Sequence, residues 1–330
     1  MQNPADIPVE TVAETPRPAA GPIRSQSETV AFVVMMTIIV VAPFFTYPLF
    51  LMQVMCFALF ACAFNLLIGY VGLLSFGHAL FFGWASYLSA HAAKEWGLTP
   101  ELAILTGTAA AAGLGLIAGI ITIRRQGIYF AMITLALAQM MYFFALQAKF
   151  TGGEDGIQGV PRGKLFGLFD LSHPMAMYIV VAVIFTGGFM LIHRVVNSPF
   201  GEVLKAIREN EARAISLGYK TIRYKLLAFV LSATLAGLAG STKAIVLQIA
   251  SLTDVNWPMS GDVVLMTLVG GLGTIFGPII GALVILTMQY KLAPVGEWVV
   301  VIQGVIFVAC VLLFRRGIVG EVAHFFRIRL

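Results

Sequence analysis

Residues 30 to 93 contain no Asp, Glu, Lys or Arg, and comparably apolar runs recur along most of the chain. About 20 apolar residues suffice for a helix to cross a bilayer. A single soluble core cannot absorb so many uninterrupted apolar runs. The composition agrees, because only 11% of the residues are charged, whereas a soluble domain carries about 25%. We therefore predict an all-α polytopic membrane protein rather than a soluble protein with a very large core.

Ten apolar runs are candidate membrane spans, and eight or nine spans are the alternatives. The runs cover residues 31–47, 49–69, 73–93, 102–123, 127–148, 175–196, 226–249, 262–273, 277–291 and 297–314. Only Tyr47 and Pro48 separate the first two runs. Within 262–291 we expect a break near Pro278, because proline lacks a backbone hydrogen-bond donor.

Basic residues cluster in three regions outside the apolar runs. They are Arg124 and Arg125; Arg194, Lys205, Arg208, Arg213, Lys220, Arg223 and Lys225; and Arg315, Arg316, Arg327 and Arg329. By the positive-inside rule these regions face the cytoplasm, whereas the 250–261 loop, with Asp254 and no Lys or Arg, faces outward. Ten spans then place both tails, 1–29 and 321–330, in the cytoplasm, with the membrane domain at 30–320. The first tail is rich in Pro, Ala, Glu and Thr and is predicted to be disordered.

The segment 202–225, EVLKAIRENEARAISLGYKTIRYK, holds nine charged side chains. Each charge at the centre of a membrane helix costs about 2.5–3.5 kcal/mol to insert, so we expect the segment to stay in the cytoplasm. Apolar residues recur within it at helical spacing, which predicts short amphipathic helices. They are Val203, Leu204, Ile207, Ala214 and Ile215, and Gly218 supplies a helix stop. Two interpretations stay open: a surface that docks a soluble partner, or an interfacial helix on the lipid headgroups.

Part of this segment, ENEARAISLGYKTIRYKLLAF, resembles the EAA-type coupling loop of ABC importer permeases. Glu211, Ala212 and Gly218 match that pattern, while Arg213 replaces the usual second Ala. The resemblance implies a coupling segment at 199–224 that fits a cleft on an ATPase. The candidate coupling residues are Arg208, Glu211, Ala212, Arg213 and Gly218.

Four further stretches are similar to branched-chain amino-acid ABC permeases of the M type (Liv family). They are NLLIGYVGLLSFGHALFFGWASY, YFAMITLALAQMMYF, TGGEDGIQGVPR and LVGGLGTIFGPIIGALV, and with the coupling loop they extend over most of residues 50 to 320. The resemblance implies the transmembrane permease subunit of a binding-protein-dependent importer in a bacterial inner membrane. Its implied partners are two ABC ATPase subunits, a second homologous permease and a periplasmic binding protein.

Energy is expected to come from other subunits, since the chain has no G-x-x-x-x-G-K-[ST] phosphate loop. We thus expect no enzyme activity and no cofactor in this chain, with ATP bound by the partner subunits. The implied cargo is a branched-chain or related amphipathic amino acid, and a urea or short-amide permease is the alternative. An ion-driven secondary transporter normally needs intramembrane carboxylates, and none lies convincingly inside a predicted span. The basic residues form no nucleic-acid platform.

His78, in GLLSFGH, is the histidine that lies well inside a predicted span. A membrane histidine needs a polar partner or a water-lined cavity. Gly72, Ser75 and Gly77 nearby would allow a kink or an unwound turn, which transporters use at substrate sites. These four residues are candidates for a substrate-pathway or gating role. A structural histidine bonded to a neighbouring helix is the alternative.

The loop 149–174 is the longest segment predicted on the outer side, and TGGEDG lies near its start. Its candidate functional residues are Thr151, Gly152, Gly153 and Asp155. The loop contacts the binding protein, caps the translocation path, or merely connects two spans. Lys243 lies about 27 Å along its helix from Lys225. It either snorkels to the outer interface or contacts a substrate carboxylate.

Overall fold

The computed structural model describes residues 23–167, 169–296, 298–313 and 317–325. Thirteen α-helices make up most of these ranges. They are α1 (Ile23–Val41), α2 (Pro48–Asn65), α3 (His78–Lys94), α4 (Pro100–Thr122), α5 (Gly127–Gln147), α6 (Pro174–Val196), α7 (Pro199–Glu209), α8 (Glu211–Ser216), α9 (Thr221–Leu247), α10 (Trp257–Gly270), α11 (Gly277–Leu292), α12 (Trp298–Leu313) and α13 (Gly317–Phe325). A π-helical segment, Leu66–Val71, continues α2 directly. Residues 1–22 of the predicted tail, and the arginines Arg315, Arg316, Arg327 and Arg329, lie outside the described residues.

Each of the ten predicted spans falls on a separate helix, α1 to α6 and α9 to α12. The break predicted after Tyr47 is confirmed, because α2 begins at Pro48. The break predicted within 262–291 is confirmed as well, because a turn at 271–276 separates α10 from α11. At the start of the described chain, α1 begins at Ile23, within the segment predicted as a tail.

In the described ranges, five helices are long and apolar enough to cross a membrane. They are Pro48–Val71, Pro100–Thr122, Gly127–Gln147, Pro174–Val196 and Thr221–Leu247. α3, α10, α11 and α12 have 17, 14, 16 and 16 residues, so each is shorter than the roughly 20 residues of a full span. The helices are those of a polytopic membrane protein, whereas ten complete spans stay a prediction.

α9 is the central helix and packs against α2, α3 and α4. Glycines let these helices approach closely. A side chain at Gly115 would meet the methyl group of Ala233, and one at Gly240 would overlap the backbone of Phe82. Burial separates the centre from the periphery: 94% of the most apolar stretch of α2 and its π segment is buried, against 28% for α5.

α10 and α11 form a tight antiparallel hairpin. Gly281 in α11 lies against the backbone of Met266 in α10, and Gly270 lies against that of Gly277. α13 begins against the hairpin turn, where Gly317 allows a close backbone contact. α12 packs beside both helices of the hairpin. The turn at 271–276 is therefore held by its neighbours, although Leu272 within it is exposed.

The two ends of α9 define the two ends of the bundle. We call the end at Thr221, next to α7 and α8, the α8 end, and the end at Leu247 the β4 end. At the β4 end two short antiparallel strand pairs form. They are β1 (Ile157–Gln158) with β4 (Ile249–Ala250), and β2 (Lys164–Leu165) with β3 (Phe169–Asp170). The Arg162 guanidinium donates a hydrogen bond to the Val246 carbonyl at 2.8 Å, so the loop 149–174 is fastened to the end of α9.

We expect Gly240→Ala to destabilise the protein, because the new methyl group would overlap the Phe82 backbone in α3. Overpacking of this kind costs about 1–3 kcal/mol. Gly113→Ala in α4 is the matched control, since its methyl group would meet nothing within 4 Å and alanine favours a helix. Thermal unfolding of the detergent-solubilised protein should show a lower midpoint for Gly240→Ala alone. Equal midpoints for the two variants would contradict this packing.

Candidate functional site

The segment between α6 and α9 folds as two short capped helices, α7 and α8. At the start of α7 the Ser198 hydroxyl accepts a hydrogen bond from the Gly201 amide at 3.4 Å. At the start of α8 the Asn210 side chain accepts one from the Arg213 amide at 3.0 Å. Gly218 follows α8 with φ of 89°, a conformation that glycine adopts without strain. The predicted helices and helix stop are confirmed, and the coupling role stays a prediction.

The predicted apolar stripe of α7 and α8 is only partly buried. Leu204, Ile207 and Ala214 pack against the bundle, as their spacing predicts. Ile215 belongs to the same predicted stripe, yet it is 56% exposed. The reason is Asn210, whose extended backbone interrupts the helix between α7 and α8. The two helices therefore do not share one continuous apolar face.

An apolar patch is left exposed at the end of α8. It consists of Ile215, Leu217 and Tyr219, of which Leu217 is 69% exposed. Ala212, Arg213 and Gly218, three of the predicted coupling residues, are exposed as well. Exposed apolar side chains next to charged ones are typical of a surface that docks a partner.

Glu211 is directed into the protein and fastens α8 in place. Its carboxylate lies 2.6 Å from the Lys225 ammonium in α9, and it accepts a hydrogen bond from the Gln126 side chain at 2.6 Å. The Lys225 side chain is 4% exposed, so the charge pair is shielded from water. Glu211 thus joins α8 both to α9 and to the turn that precedes α5.

Arg208 is an exposed residue whose guanidinium reaches the π segment beside the α10–α11 turn. Its guanidinium donates a hydrogen bond to the Gly69 carbonyl. Asn65 accepts a hydrogen bond from the Gly273 amide at 3.0 Å and donates one to the Thr274 carbonyl at 2.9 Å. We call Asn65, Gly69, Arg208, Gly273 and Thr274 the Arg208 junction. No sequence pattern predicts this junction, because its members lie up to 209 positions apart.

The chain between the π segment and α3 is unwound, as Gly72, Ser75 and Gly77 predict. Gly72 ends the π segment with φ of 81°. The Ser75 hydroxyl accepts a hydrogen bond from the Gly77 amide at 3.2 Å. The Thr134 hydroxyl in α5 accepts one from the amide of residue 76, also at 3.2 Å. The unwound turn is confirmed, whereas its place in a substrate pathway stays a prediction.

His78, the first residue of α3, is fully buried. Its Nε2 atom lies 2.9 Å from the Ser232 hydroxyl of α9. The rings of Phe64, Phe81 and Phe229 meet its imidazole edge-on, with ring centroids 5.1 to 6.1 Å apart. This environment supports the structural alternative for the imidazole itself, and leaves the adjoining unwound turn as the candidate for gating.

At the β4 end, the predicted loop residues divide into a structural and an exposed group. The Thr151 hydroxyl is buried and donates to the Ala145 and Ala148 carbonyls at the end of α5, at 2.6 Å. Gly152 and Gly153 have φ of 79° and 61°, which turns the chain back over α5. Asp155 is exposed. Of these candidates, Asp155 is the side chain free to meet a partner.

A buried ion pair between Lys243 and Asp254 lies at the β4 end. The Lys243 ammonium is 2.6 Å from both carboxylate oxygens, and the two side chains are 7% and 2% exposed. The snorkelling interpretation of Lys243 is therefore wrong, because the ammonium turns inward to a carboxylate. The pair fixes the short helical turn at 252–254 against α9.

Asp262 is a carboxylate inside the helical body that the sequence interpretation passed over. It lies in α10 and accepts hydrogen bonds from Gln303 in α12 at 3.1 Å and Gln289 in α11 at 3.4 Å. Gln289 thus makes an interhelical hydrogen bond. Asp262 was missed because it opens an apolar run, whereas α10 begins earlier, at Trp257.

The chain is similar to known membrane permeases. Residues 47–311 match the family model described as branched-chain amino acid transport system / permease component. The high-affinity branched-chain amino acid transport system permease protein LivM of Escherichia coli is 26% identical over 277 residues, which are 77% of this chain and 65% of LivM. The match thus covers just under two thirds of the length of LivM.

Further relatives include permeases named for ribose and for branched-chain amino acids. The ribose import permease protein RbsC of Bacillus subtilis is 30% identical over 196 residues, which are 54% of this chain and 58% of RbsC. The probable branched-chain amino acid transport permease protein LivH of Methanocaldococcus jannaschii is 27% identical over 171 residues, or 48% of this chain and 50% of LivH. No solved structure matches the chain.

We expect Asp254→Asn to destabilise the protein strongly, because it leaves the Lys243 ammonium buried without a counter-charge. Breaking a buried pair costs about 3–5 kcal/mol. Glu202→Gln is the matched control: it breaks the Lys205–Glu202 pair, in which Glu202 is 69% exposed, and such pairs contribute at most about 1 kcal/mol. The double variant Lys243→Met with Asp254→Leu should recover most of the lost stability. Unfolding midpoints in detergent test this, and similar losses for Asp254→Asn and Glu202→Gln would contradict it.

Proposed function

The chain belongs to the family of branched-chain amino acid transport system permease components, and we propose that it is the permease subunit of a binding-protein-dependent ABC importer. The observation that carries this proposal is the α7–α8 segment. It presents an exposed apolar patch, it is capped at both helix starts, and Glu211 and Arg208 fasten it to the bundle. A rigid surface of this kind can receive force from a soluble motor and pass it to membrane helices.

The α8 end is proposed to face the cytoplasm. The basic residues of 194–225 and the Arg124–Arg125 turn lie towards this end, and the positive-inside rule assigns such regions to the cytoplasm. Both termini are then cytoplasmic in a ten-span arrangement, and the protein lies in a bacterial inner membrane. The β4 end faces the periplasm, where Asp155 and its loop are available to a binding protein.

The proposed partners are two ABC ATPase subunits, a second homologous permease and a periplasmic binding protein. ATP is bound by the ATPase subunits, since this chain has no phosphate loop. Within the coupling segment the proposed roles divide. Ala212, Arg213 and Gly218 are exposed and form the contact with the ATPase, whereas Glu211 and the likewise exposed Arg208 hold the segment in position through their contacts with Lys225 and Gly69.

The proposed cargo is a branched-chain or related amphipathic amino acid. The match to the permease family and the printed function of LivM support this choice. The cargo would cross by ATP-driven alternating access, in which the flanking helices rock against one another. We propose that the unwound turn of Gly72, Ser75 and Gly77 takes part in gating, with His78 anchoring it to α9.

Asp262 keeps one alternative of a different class open, an ion-driven secondary transporter. Such transporters use intramembrane carboxylates for coupling. Asp262 is held by two glutamine amides, which suits a residue that joins three helices. Uptake in proteoliposomes that contain this chain without ATPase subunits would favour the ion-driven alternative. The importer proposal expects uptake only in the complete complex.

The docking assignment predicts that Gly218→Val releases the ATPase subunits. Gly218 has φ of 89°, which a β-branched residue adopts only with strain, so the apolar patch beside it should shift. Gly97→Val is the matched control, because Gly97 also has positive φ (62°) and also has no neighbour within 4 Å of a Cβ, but it lies in the α3–α4 loop.

The measurement is co-purification of the ATPase subunits with a tagged permease, together with uptake of radiolabelled L-leucine by cells. We expect Gly218→Val to lower both by about tenfold, a loss that corresponds to about 1.4 kcal/mol of binding free energy, and Gly97→Val to retain both. Equal co-purification of the two variants would show that the α8 end is not the docking surface.

A further inference from the structure

We propose that Arg208 is a positioning residue that passes the movement of α7 to the membrane helices, rather than a contact for the ATPase. This inference rests on the proposed function. Arg208 lies in the last turn of α7, and its guanidinium donates a hydrogen bond to the Gly69 carbonyl in the π segment that continues α2. The exposed side chain thus links the coupling segment to the π segment through its guanidinium.

Three glycines form the slot that receives this arginine. A Cβ atom at Gly72 would lie 3.2 Å from the Arg208 side chain, and one at Gly273 would lie 3.3 Å from its guanidinium nitrogen. A Cβ atom at Gly69 would lie 2.9 Å from the Gly273 amide nitrogen. Larger residues at these positions would crowd the arginine or separate the π segment from the α10–α11 turn. The slot therefore depends on the absence of side chains at all three places.

The Gly69 carbonyl is a suitable hydrogen-bond acceptor for the arginine. It lies in a π segment at the end of a helix, where the regular backbone hydrogen-bond pattern is interrupted and carbonyl groups need other donors. A guanidinium is permanently charged and forms a strong hydrogen bond to such a carbonyl. Leu204 and Ile207 also attach α7, but apolar packing has no preferred direction.

The Arg208 junction also connects α2 to the turn between α10 and α11. Asn65 holds the turn between α10 and α11 through the Gly273 amide and the Thr274 carbonyl. Gly317, at the start of α13, lies against the same turn. A displacement of α7 would therefore reach both the π segment that continues α2 and the α10–α11 hairpin.

The test uses the complete transporter with its ATPase subunits, partner permease and binding protein. Arg208→Met keeps the aliphatic stem and removes the donor, and Arg208→Lys restores a charged donor. Lys205→Met, one turn earlier in α7, is the matched control, because Lys205 pairs with the largely exposed Glu202. Co-purification of the ATPase subunits is measured for every variant, together with ATP hydrolysed per molecule of L-leucine transported.

A second readout follows the α10–α11 turn without reference to the cargo. Leu272 in this turn is 38% exposed, so Leu272→Cys can be labelled with a maleimide in a chain with Cys56→Ala, Cys62→Ala and Cys310→Ala. We compare the labelling rate with and without ATP and vanadate. The labelling rate reports the conformation of the turn. If the ATPase subunits co-purify with a variant but nucleotide no longer changes the labelling rate, the movement fails to reach the turn. If the subunits do not co-purify, the docking itself is lost.

We expect Arg208→Met to keep the ATPase subunits bound, to raise ATP consumption per transported molecule at least fivefold, and to abolish the nucleotide-dependent change in labelling. Arg208→Lys should recover part of the coupling between ATP consumption and transport and part of the labelling response. Lys205→Met should behave as the unmodified chain. Loss of ATPase binding in Arg208→Met would make Arg208 a docking residue and overturn the inference. So would a normal labelling response in Arg208→Met, or no response in the unmodified complex. Absence of ATPase co-purification with the unmodified chain would instead contradict the proposed function, and this inference with it.

Discussion

Inside a bilayer every backbone amide and carbonyl needs a protein partner, because lipid offers none. At three places where a helix begins or ends, a polar side chain from another helix supplies that partner. Asn65 serves the turn between α10 and α11, Arg208 serves the end of the π segment, and Ser260 accepts the Ala79 amide at the start of α3 at 3.0 Å. The interruptions are therefore the places where distant parts of the chain become joined, and most of the candidate functional residues lie at them.

α9 connects the two ends of the bundle, because each of its two buried lysines is paired with a carboxylate near one end of the helix. Lys225 holds Glu211 of the coupling segment, and Lys243 holds Asp254 at the opposite end of the bundle. The two lysines are separated by about 27 Å of helix. A buried pair that loses one partner is costly, so each end of α9 keeps its neighbour firmly attached. The helix between them packs tightly through Gly237 and Gly240, which makes α9 a rigid connection between the two faces of the protein.

The sequence predicts local features well and long-range pairings poorly. Hydropathy located every apolar run on its own helix, and Pro48, Gly72 and Gly218 mark real breaks, because proline and glycine act on the backbone at their own position. The sequence does not predict the partners of Arg208, Glu211 and Lys243, because tertiary packing and not spacing determines each of them. Ile215 shows that even a local prediction can fail within one segment. Its spacing predicts a buried position, but the extended backbone of Asn210 interrupts the helix before it. His78 was recognised as unusual, while the aromatic rings that enclose it come from three different helices.

The proposed alternating access would move most easily a helix that is held at its ends but packed lightly along its length, since a tightly packed helix resists displacement. α5 has both properties. Its buried residues, Phe130, Ala131, Thr134, Ala138 and Ala145, form one narrow stripe. Gln126, just before its first residue, is bonded to Glu211 of the coupling segment, and Thr151, just after its last turn, fastens it to the loop at the β4 end. Thr134 also accepts the amide of residue 76 in the unwound turn. A change in the tilt of α5 would thus act on the coupling segment, the unwound turn and the loop at the β4 end together, whereas α9 is tied at its two ends by the ion pairs of Lys225 and Lys243.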